Sequence, residues 1–430
     1  MKITQSHSKI NPFGGLNFCI DLLKKEGITH LIDQHLGQRV RYTGFDYSKI
    51  LINQLSIYFT GGDCAEDINI HLREHLEKVE GLSVCSPDTI LRGIKELATP
   101  TNTLTSITGV KHEFNINLRL NQLLVKALRR TGQLSSNTPQ NYTLDYDNQI
   151  IATNKYDAKK TYKKCEGYQS GIASIGDNIV YIEGRNGNSQ ARFQQAETLA
   201  RAFDILGEEQ ISVKRFRADG ASYQQKVVDL ASQKAEKFYI RAKMTSHLEQ
   251  RLSTVSRENW KKIRLGIQQM EVTQIADFRP FDGKTAYRLV ISRIKRKDRE
   301  ADLFSGQAYT YRAILTNDLE WDQEQIVAFY NQRGRAEKIF DCMNNDFGWS
   351  KLPCSFLNEN TVFMILTALY ANLYHFILER FAAKLDWLQS NFRIKKFIFR
   401  FITVAAKWIK SGRQHILRLY TNKDYSPILN

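Results

Sequence analysis

Three acidic positions stand where charge is costly unless something uses it. The run Leu144-Asp145-Tyr146-Asp147 reads as a strand, so its two aspartates take the same face. Aspartate is a poor strand former, and two like charges on one face repel. A cation beside them removes that penalty; the alternative is a strand end open to water. In Arg215-Phe216-Arg217-Ala218-Asp219-Gly220-Ala221, Asp219 directly follows a strand-like run and precedes a glycine. α/β folds place ligands at that point, and Asp-Gly turns are also common there. Glu337 belongs to a helix that opens near Asp322, with Asp322 and Gln325 at capping-box spacing. Along that helix Tyr330, Arg333, Glu337, Asp341 and Asn344 fall within roughly 80° of arc. They form a polar stripe beside apolar Ile326, Phe329, Ala336 and Phe340. Gly334 sits in the same helix at about 1 kcal/mol against alanine, in keeping with a closely approached backbone.

The elements that must position these residues follow from periodicity. Residues 1–135 repeat apolar residues at helical spacing and read as a helical N-terminal region suited to DNA binding, with Ser86 capping a helix that has Pro87 at its first position. A polar, turn-rich linker at 132–141 ends it. Strands are expected at 142–152, 171–176, 179–182, 212–218 and 237–241, with helices at 192–206 and 223–234. That alternation implies an α/β sheet with its site near strand ends. Residues 136–244 are therefore the first part of the core. Residues 245–320 form a β-rich insertion with strands at 270–278, 285–294 and 308–316, and 321–380 complete the core. The last segment, 381–430, reads as a helical basic region.

Composition narrows the partners. The 430 residues carry a net charge of +16, which favours a polyanion because bound lysines and arginines release condensed counterions. From 381 to 430 ten basic residues (Lys384, Arg393, Lys395, Lys396, Arg400, Lys407, Lys410, Arg413, Arg418, Lys423) face two acids, Asp386 and Asp424. Phe392, Phe397, Phe399, Phe401 and Trp408 are interleaved with them, as suits a phosphate backbone. The six cysteines form no C-x-x-C pair, against a zinc or redox motif, and no apolar signal core opens the chain, so a cytoplasmic, nucleoid-associated protein with reduced thiols is expected. Thr361–Leu378 lacks Asp, Glu, Lys and Arg; it reads as a buried core helix and no membrane partner is expected. His71-Leu-Arg-Glu-His75 matches a short zinc-peptidase pattern but has no third ligand.

The segment Tyr330-Asn-Gln-Arg333-Gly-Arg-Ala-Glu337 resembles the Y-(2)-R-(3)-E-(6)-K signature of bacterial insertion-sequence transposases whose DDE domain has the ribonuclease-H-like fold. Asn344 stands where that signature has lysine. Asp147-Asn148-Gln149 resembles the setting of the family's first aspartate, and Asp219-Gly220-Ala221-Ser222 that of its second. The 118 positions from Asp219 to Glu337 leave room for the family's β-rich insertion. Tyr162–Tyr168, Leu369–Leu373, Gly61–Leu76 and Ser86–Ile94 resemble further parts of the same family, so the likeness spans most of the chain.

The resemblance implies an α/β, ribonuclease-H-like catalytic domain interrupted by the insertion, acting as a metal-dependent DNA transposase. It would cleave the terminal inverted repeats of an insertion sequence and transfer the strands. Asp147, Asp219 and Glu337 would hold two Mg²⁺ or Mn²⁺ ions, oxygen ligands suiting hard cations. Asp145 is the rival to Asp147, and Asp341 to Glu337. Arg333 and Tyr330 would contact DNA, with Lys338 or Lys351 standing in for the missing lysine. Trp260, Tyr309 and Tyr311 are candidates to stack a flipped base. The partners would be double-stranded DNA, as inverted-repeat ends and target, and a second copy in a homodimer. Two other functions are carried forward: a catalytically decayed sequence-specific DNA-binding protein, and a ribonuclease-H-like nuclease without strand transfer.

Overall fold

Leu120, Leu123, Leu124, Ala127 and Leu128 recur at helical spacing and bury along one side of helix α1 (Leu118–Arg130), which the Asn117 side chain caps by accepting from the Leu120 N–H. In the computed structural model, which describes all residues except 2, 5–8, 40–43, 137–140, 284, 296–308, 413 and 430, α1 lies against a mixed sheet. Strands β1 (Thr143–Ala152), β2 (Glu166–Ile175) and β3 (Asn178–Arg185) form an antiparallel meander. Helix α2 (Gln195–Glu208) then crosses to β4 (Arg215–Ala218), parallel to β1. Helix α3 (Gln225–Lys234) leads to β5 (Lys237–Ala242), parallel to β4. Asp145 pairs with Arg217 across β1 and β4, and Asp147 with Ile172 across β1 and β2.

The expected insertion is β-rich, and it continues the core sheet. Strands β6 (Lys261–Leu265), β7 (Gln268–Phe278), β8 (Tyr287–Lys295) and β9 (Tyr309–Thr316) run antiparallel, with β9 bonded to β5. The full sheet has twelve strands; β3-β2-β1-β4-β5-β9-β8-β7-β6 is its main run, and Lys159–Lys160 pairs with β2. A hairpin of Thr101–Thr105 and Lys111–Asn115 adds to the outer side of β3, where Phe114 meets Arg185. This hairpin corrects the helical reading of 1–135, whose last third packs on the sheet.

Helix α4 (Gln323–Asn331) opens with the expected reciprocal capping box of Asp322 and Gln325. It does not run on evenly. Gln332–Gly334 tighten into a 3₁₀ turn before helix α5 (Arg335–Asp346). A 3₁₀ residue advances about 120° instead of 100°, so the turn rotates α5 by roughly 60° relative to α4. The expected single polar stripe is therefore split.

Helix α6 (Leu357–Ala382) is apolar all round because protein surrounds it; the most apolar part of this helix is 94% buried. One continuous core joins the N-terminal helices, α6 and the C-terminal segment, from Leu16 through Tyr58 and Leu369 to Phe401 and Tyr425. The last region also departs from its helical expectation. After a short helical stretch at 394–402, Ala405–Ser411 and Gln414–Tyr420 pair as a two-stranded hairpin. Period-two alternation of Ala406, Trp408, Leu417 and Leu419, with Gly412 at a positive φ in the turn, outweighs the helical pattern. Arg413, counted in the basic tail, lies outside the described residues.

Two asparagines satisfy the free edge of β3. Asn121 of α1 bonds the N–H and carbonyl of Ile182, and Asn372 of α6 bonds those of Ile179. All four contacts are 2.7–3.0 Å and buried. Asn372→Ala leaves two buried backbone groups unpartnered. It is expected to lower stability by about 2–3 kcal/mol, read as a lower urea midpoint at unchanged slope. An unchanged midpoint contradicts this account.

Candidate active site

Asp145 and Asp147 share a face of β1, yet the fold gives them opposite tasks. Asp145 is only 6% exposed. Arg217, directly across on β4, donates Nε to Oδ1 at 2.7 Å and Nη2 to Oδ2 at 2.6 Å, a two-pronged charge-assisted pair. The third guanidinium nitrogen donates to the Phe329 carbonyl at 2.6 Å, and the group stacks 4.4 Å from the Phe329 ring. Burial pushes the Asp145 carboxyl up from its ordinary value, and Arg217 opposes that shift. A cation could not recruit Asp145 without orphaning a buried arginine. The pair instead ties β1 and β4 to α4.

Asp147 lies two residues on, half-buried. Its Oδ2 accepts from Arg333 Nη1 at 2.8 Å and its Oδ1 from the Asn148 N–H at 2.8 Å. Its carboxyl is pushed up to about 6, chiefly by burial; Arg333 works against the shift, and the charges of Asp219 and Glu337 add to it. Those two acids thus act on Asp147 from separate elements. Asp219 follows β4 and is oriented by accepting from the Ala221 N–H at 3.0 Å. Glu337 is exposed in the first turn of α5. Tyr330 is buried and donates its hydroxyl to the Ala218 carbonyl at 3.1 Å, which pins the end of α4 to the residue before Asp219.

An all-oxygen donor set suits Mg²⁺ or Mn²⁺, and mutual repulsion at a half-buried carboxyl is what a cation relieves. The three carboxylates do not crowd within single-ion reach. Among the described residues the one trio with ligand atoms inside 4.8 Å is Asp63, Cys64 and Asp67. A two-ion site needs only its central carboxylate near both neighbours, since the ions are themselves about 3.5–4 Å apart.

Other expected site residues sit elsewhere. Asp341, one turn past Glu337 on α5, pairs with Arg393 at 2.7 Å. The Asn344 backbone carbonyl accepts from Ser350, and the Lys351 ammonium is engaged by Asp63 at 2.5 Å. Lys338 is exposed beside Glu337. Trp260 and Tyr311 are buried in a core the insertion shares with the central sheet, with their rings 6.0 Å apart and Arg293 3.8 Å over the indole, so they are not free to stack a base. Tyr309 is half-buried with Arg293 4.3 Å over its ring. His75 packs edge-on against Phe13, and the described residues offer no trio of ligands containing it or His71. All six cysteines are free.

A cavity of about 690 Å³ is lined by Asp145, Arg217, Gln332, Arg335 and His375 among others. Asp147, Asp219 and Glu337 do not line it. The sequence reading gave Arg217 no role. Its signal was an arginine that stays buried in a strand between Phe216 and Ala218, two residues before Asp219.

A profile described as transposase DDE domain group 1 matches residues 7–430. No curated protein sequence matches. Among solved structures, a piggyBac transposase synaptic complex with hairpin DNA overlaps 91% of this chain and 80% of its own at 13% identity and a TM-score of 0.43. A Drosophila P element transposase strand transfer complex overlaps 50% and 41% at 13% identity and a TM-score of 0.22. Overlaps this slight carry no structural inference.

Holding the Asp147 carboxyl near 6 instead of 3.8 costs about 3 kcal/mol when it is ionised. The folded carboxyl binds its proton more tightly than the unfolded one. The penalty is therefore complete above about pH 6, shrinks as pH falls from there, and is gone below about 3.8. Asp147→Asn should then stabilise the metal-free protein by about 2–3 kcal/mol at pH 8 and by about half of that at pH 5. Urea denaturation at the two pH values checks this; a destabilised variant at pH 8 contradicts it.

Proposed function

Since the chain belongs to the transposase DDE domain group 1 family and is a DDE transposase, an enzyme of polynucleotide transfer, we propose that it cleaves the terminal inverted repeats of an insertion sequence and joins the freed ends to target DNA. We assign Asp147, Asp219 and Glu337 as the carboxylates that do so. The observation that carries this reading is the charge at Asp147: three acids from a strand, a strand end and a helix converge closely enough for two of them to disfavour ionisation of the third.

The antiparallel meander β1–β3, followed by β4 and β5 parallel to β1, supports a ribonuclease-H-like core. Asp147 is the shared ligand, with Asp219 to one side and Glu337 to the other. Divalent ions held there would activate the attacking hydroxyl and stabilise the leaving oxygen at phosphorus. Tyr330 positions α4 and α5 from within the protein and does not contact DNA. Arg333, which balances Asp147, is the cation closest to the scissile phosphate, and guanidinium suits bidentate phosphate contact. Lys338 adds a positive charge at the exposed rim. Two copies would pair two ends as a homodimer.

Linear DNA carrying the repeats that flank the gene, incubated with the protein and Mg²⁺ or Mn²⁺, should be cut at the repeat ends and joined to added target DNA. Asp147→Ala, Asp219→Ala and Glu337→Ala should each lower cutting by more than about a hundredfold, the scale of losing a group that stabilises the transition state. Cutting that survives all three substitutions refutes the assignment. Cutting without joined product identifies a nuclease that lacks strand transfer.

A further inference from the structure

The hairpin Ala405–Tyr420 is the one part of the basic C-terminal region that the catalytic reading leaves without a task. Its base is firmly mounted. Asn11 exchanges two 2.8 Å backbone bonds with Ala406, and Gly14 and Gly15 donate to the Val404 and Ile402 carbonyls. A Cβ at Gly15 would lie 2.2 Å from the Phe401 carbonyl oxygen, so the approach requires glycine. Beyond that base the ribbon turns exposed, with Lys410, Ser411, Gln414, His415 and Ile416 open to solvent.

The pairing register divides the ribbon into two faces. Ala406, Trp408, Leu417 and Leu419 share the face that packs at its base, where Ala406 is fully buried. Lys407, Ile409, Ile416 and Arg418 share the other. On that face Lys407 stands directly opposite Arg418, and Ile409 opposite Ile416, which is 44% exposed. Two cations directly across a strand pair destabilise it. Neither has a carboxylate within 4 Å among the described residues, and residues 405–420 contain no acid at all. An uncompensated cation pair beside an apolar pair of which Ile416 is exposed and Ile409 half-buried suits a surface that is anionic at its edges and apolar within. The major groove of duplex DNA has that form: phosphates border it and thymine methyls line its floor, and it admits a two-stranded β-ribbon. Seven residues per strand give a ribbon of roughly 24 Å, about two-thirds of a helical turn of DNA.

We infer that the Ala405–Tyr420 hairpin is a DNA-docking ribbon that enters the major groove, with Lys407 and Arg418 on the flanking phosphates and Ile409 and Ile416 against the base edges. The inference rests on the reading that duplex DNA is the substrate, but it concerns binding and not cutting.

The test is duplex binding by the full chain without divalent metal, measured by fluorescence anisotropy across a salt series, with dimethyl sulfate footprinting of guanine N7 in the major groove. Lys407→Ala combined with Arg418→Ala should weaken binding at least about tenfold near 0.1 M salt and flatten the salt slope by about two, one for each phosphate lost. Protection of guanine N7 should shrink at one segment of the site. Lys407→Glu is the control for folding: it puts an acid opposite Arg418, so the melting temperature should hold or rise while DNA affinity falls. Equal affinity, slope and footprint in the double variant, with wild-type protein binding well, overturn the ribbon assignment and leave the transposase reading intact. Wild-type protein that binds no duplex at all overturns both.

Discussion

Arg217 is the joint on which the arrangement of acids depends. Its guanidinium makes two bonds to Asp145 on the strand that carries Asp147, sits on the strand that ends at Asp219, and makes a third bond to the Phe329 carbonyl of the helix that leads to Glu337. One buried cation thus fixes three chain segments separated by nearly two hundred residues. Planarity matters, because a guanidinium forms a forked pair and stacks on Phe329 at once, which an ammonium could not do. The buried ion pair need not add much net stability over an apolar substitute. Its contribution is geometric: it forbids sliding of the helix against the strands. Tyr330 repeats the tie one residue along by bonding the Ala218 carbonyl.

Around that joint the protein tolerates an arrangement that opposes its own folding. Asp147 is half-buried next to two other acids, and Arg333 offsets only part of the penalty. A core built for stability would neutralise such a cluster. Here the rest of the fold offsets it through a continuous hydrophobic core running from the N-terminal helices through α6 to the C-terminal segment. Asn121 and Asn372 serve the same end: each satisfies a pair of buried backbone groups on the stretch of β3 that the outer hairpin leaves unpaired, so helices cover it without orphaned polar atoms. The sheet continues on its other side into the insertion, whose aromatic residues Trp260 and Tyr311 join the same hydrophobic core as the strands around the acids.

Much of this was legible in the sequence. Period-two runs placed β1, β4 and β5, and spacing alone placed the capping box at Asp322 and Gln325 and the buried helix around Thr361–Leu378. These are local signals, because a strand's alternation, a helix's apolar repeat and a cap each depend on residues within a few positions. The order of Asp147, Asp219 and Glu337 along the chain, and the spacing of Tyr330, Arg333 and Glu337, were likewise readable from the residues alone, as was the surplus of positive charge.

What the sequence could not decide is which residues meet. Asp145 and Asp147 are alike in type and face, and only the register of β1 against β4, which sets Arg217 opposite Asp145, removes one of them from the cluster. Asp341 and Glu337 lie one turn apart on the same helix, and only the packing of the C-terminal segment, which brings Arg393 onto Asp341 at 2.7 Å, separates their roles. The tail was basic and aromatic by composition, but its folding as a hairpin anchored on Asn11 depends on a partner segment almost four hundred residues away. Local pattern fixes what most segments are, because it records short-range backbone preference and burial, and it fails at the hairpins Thr101–Asn115 and Ala405–Tyr420, which pack on distant partners. Which charge is paired and which is left to act is set by long-range register, and that is decided only when the whole chain packs.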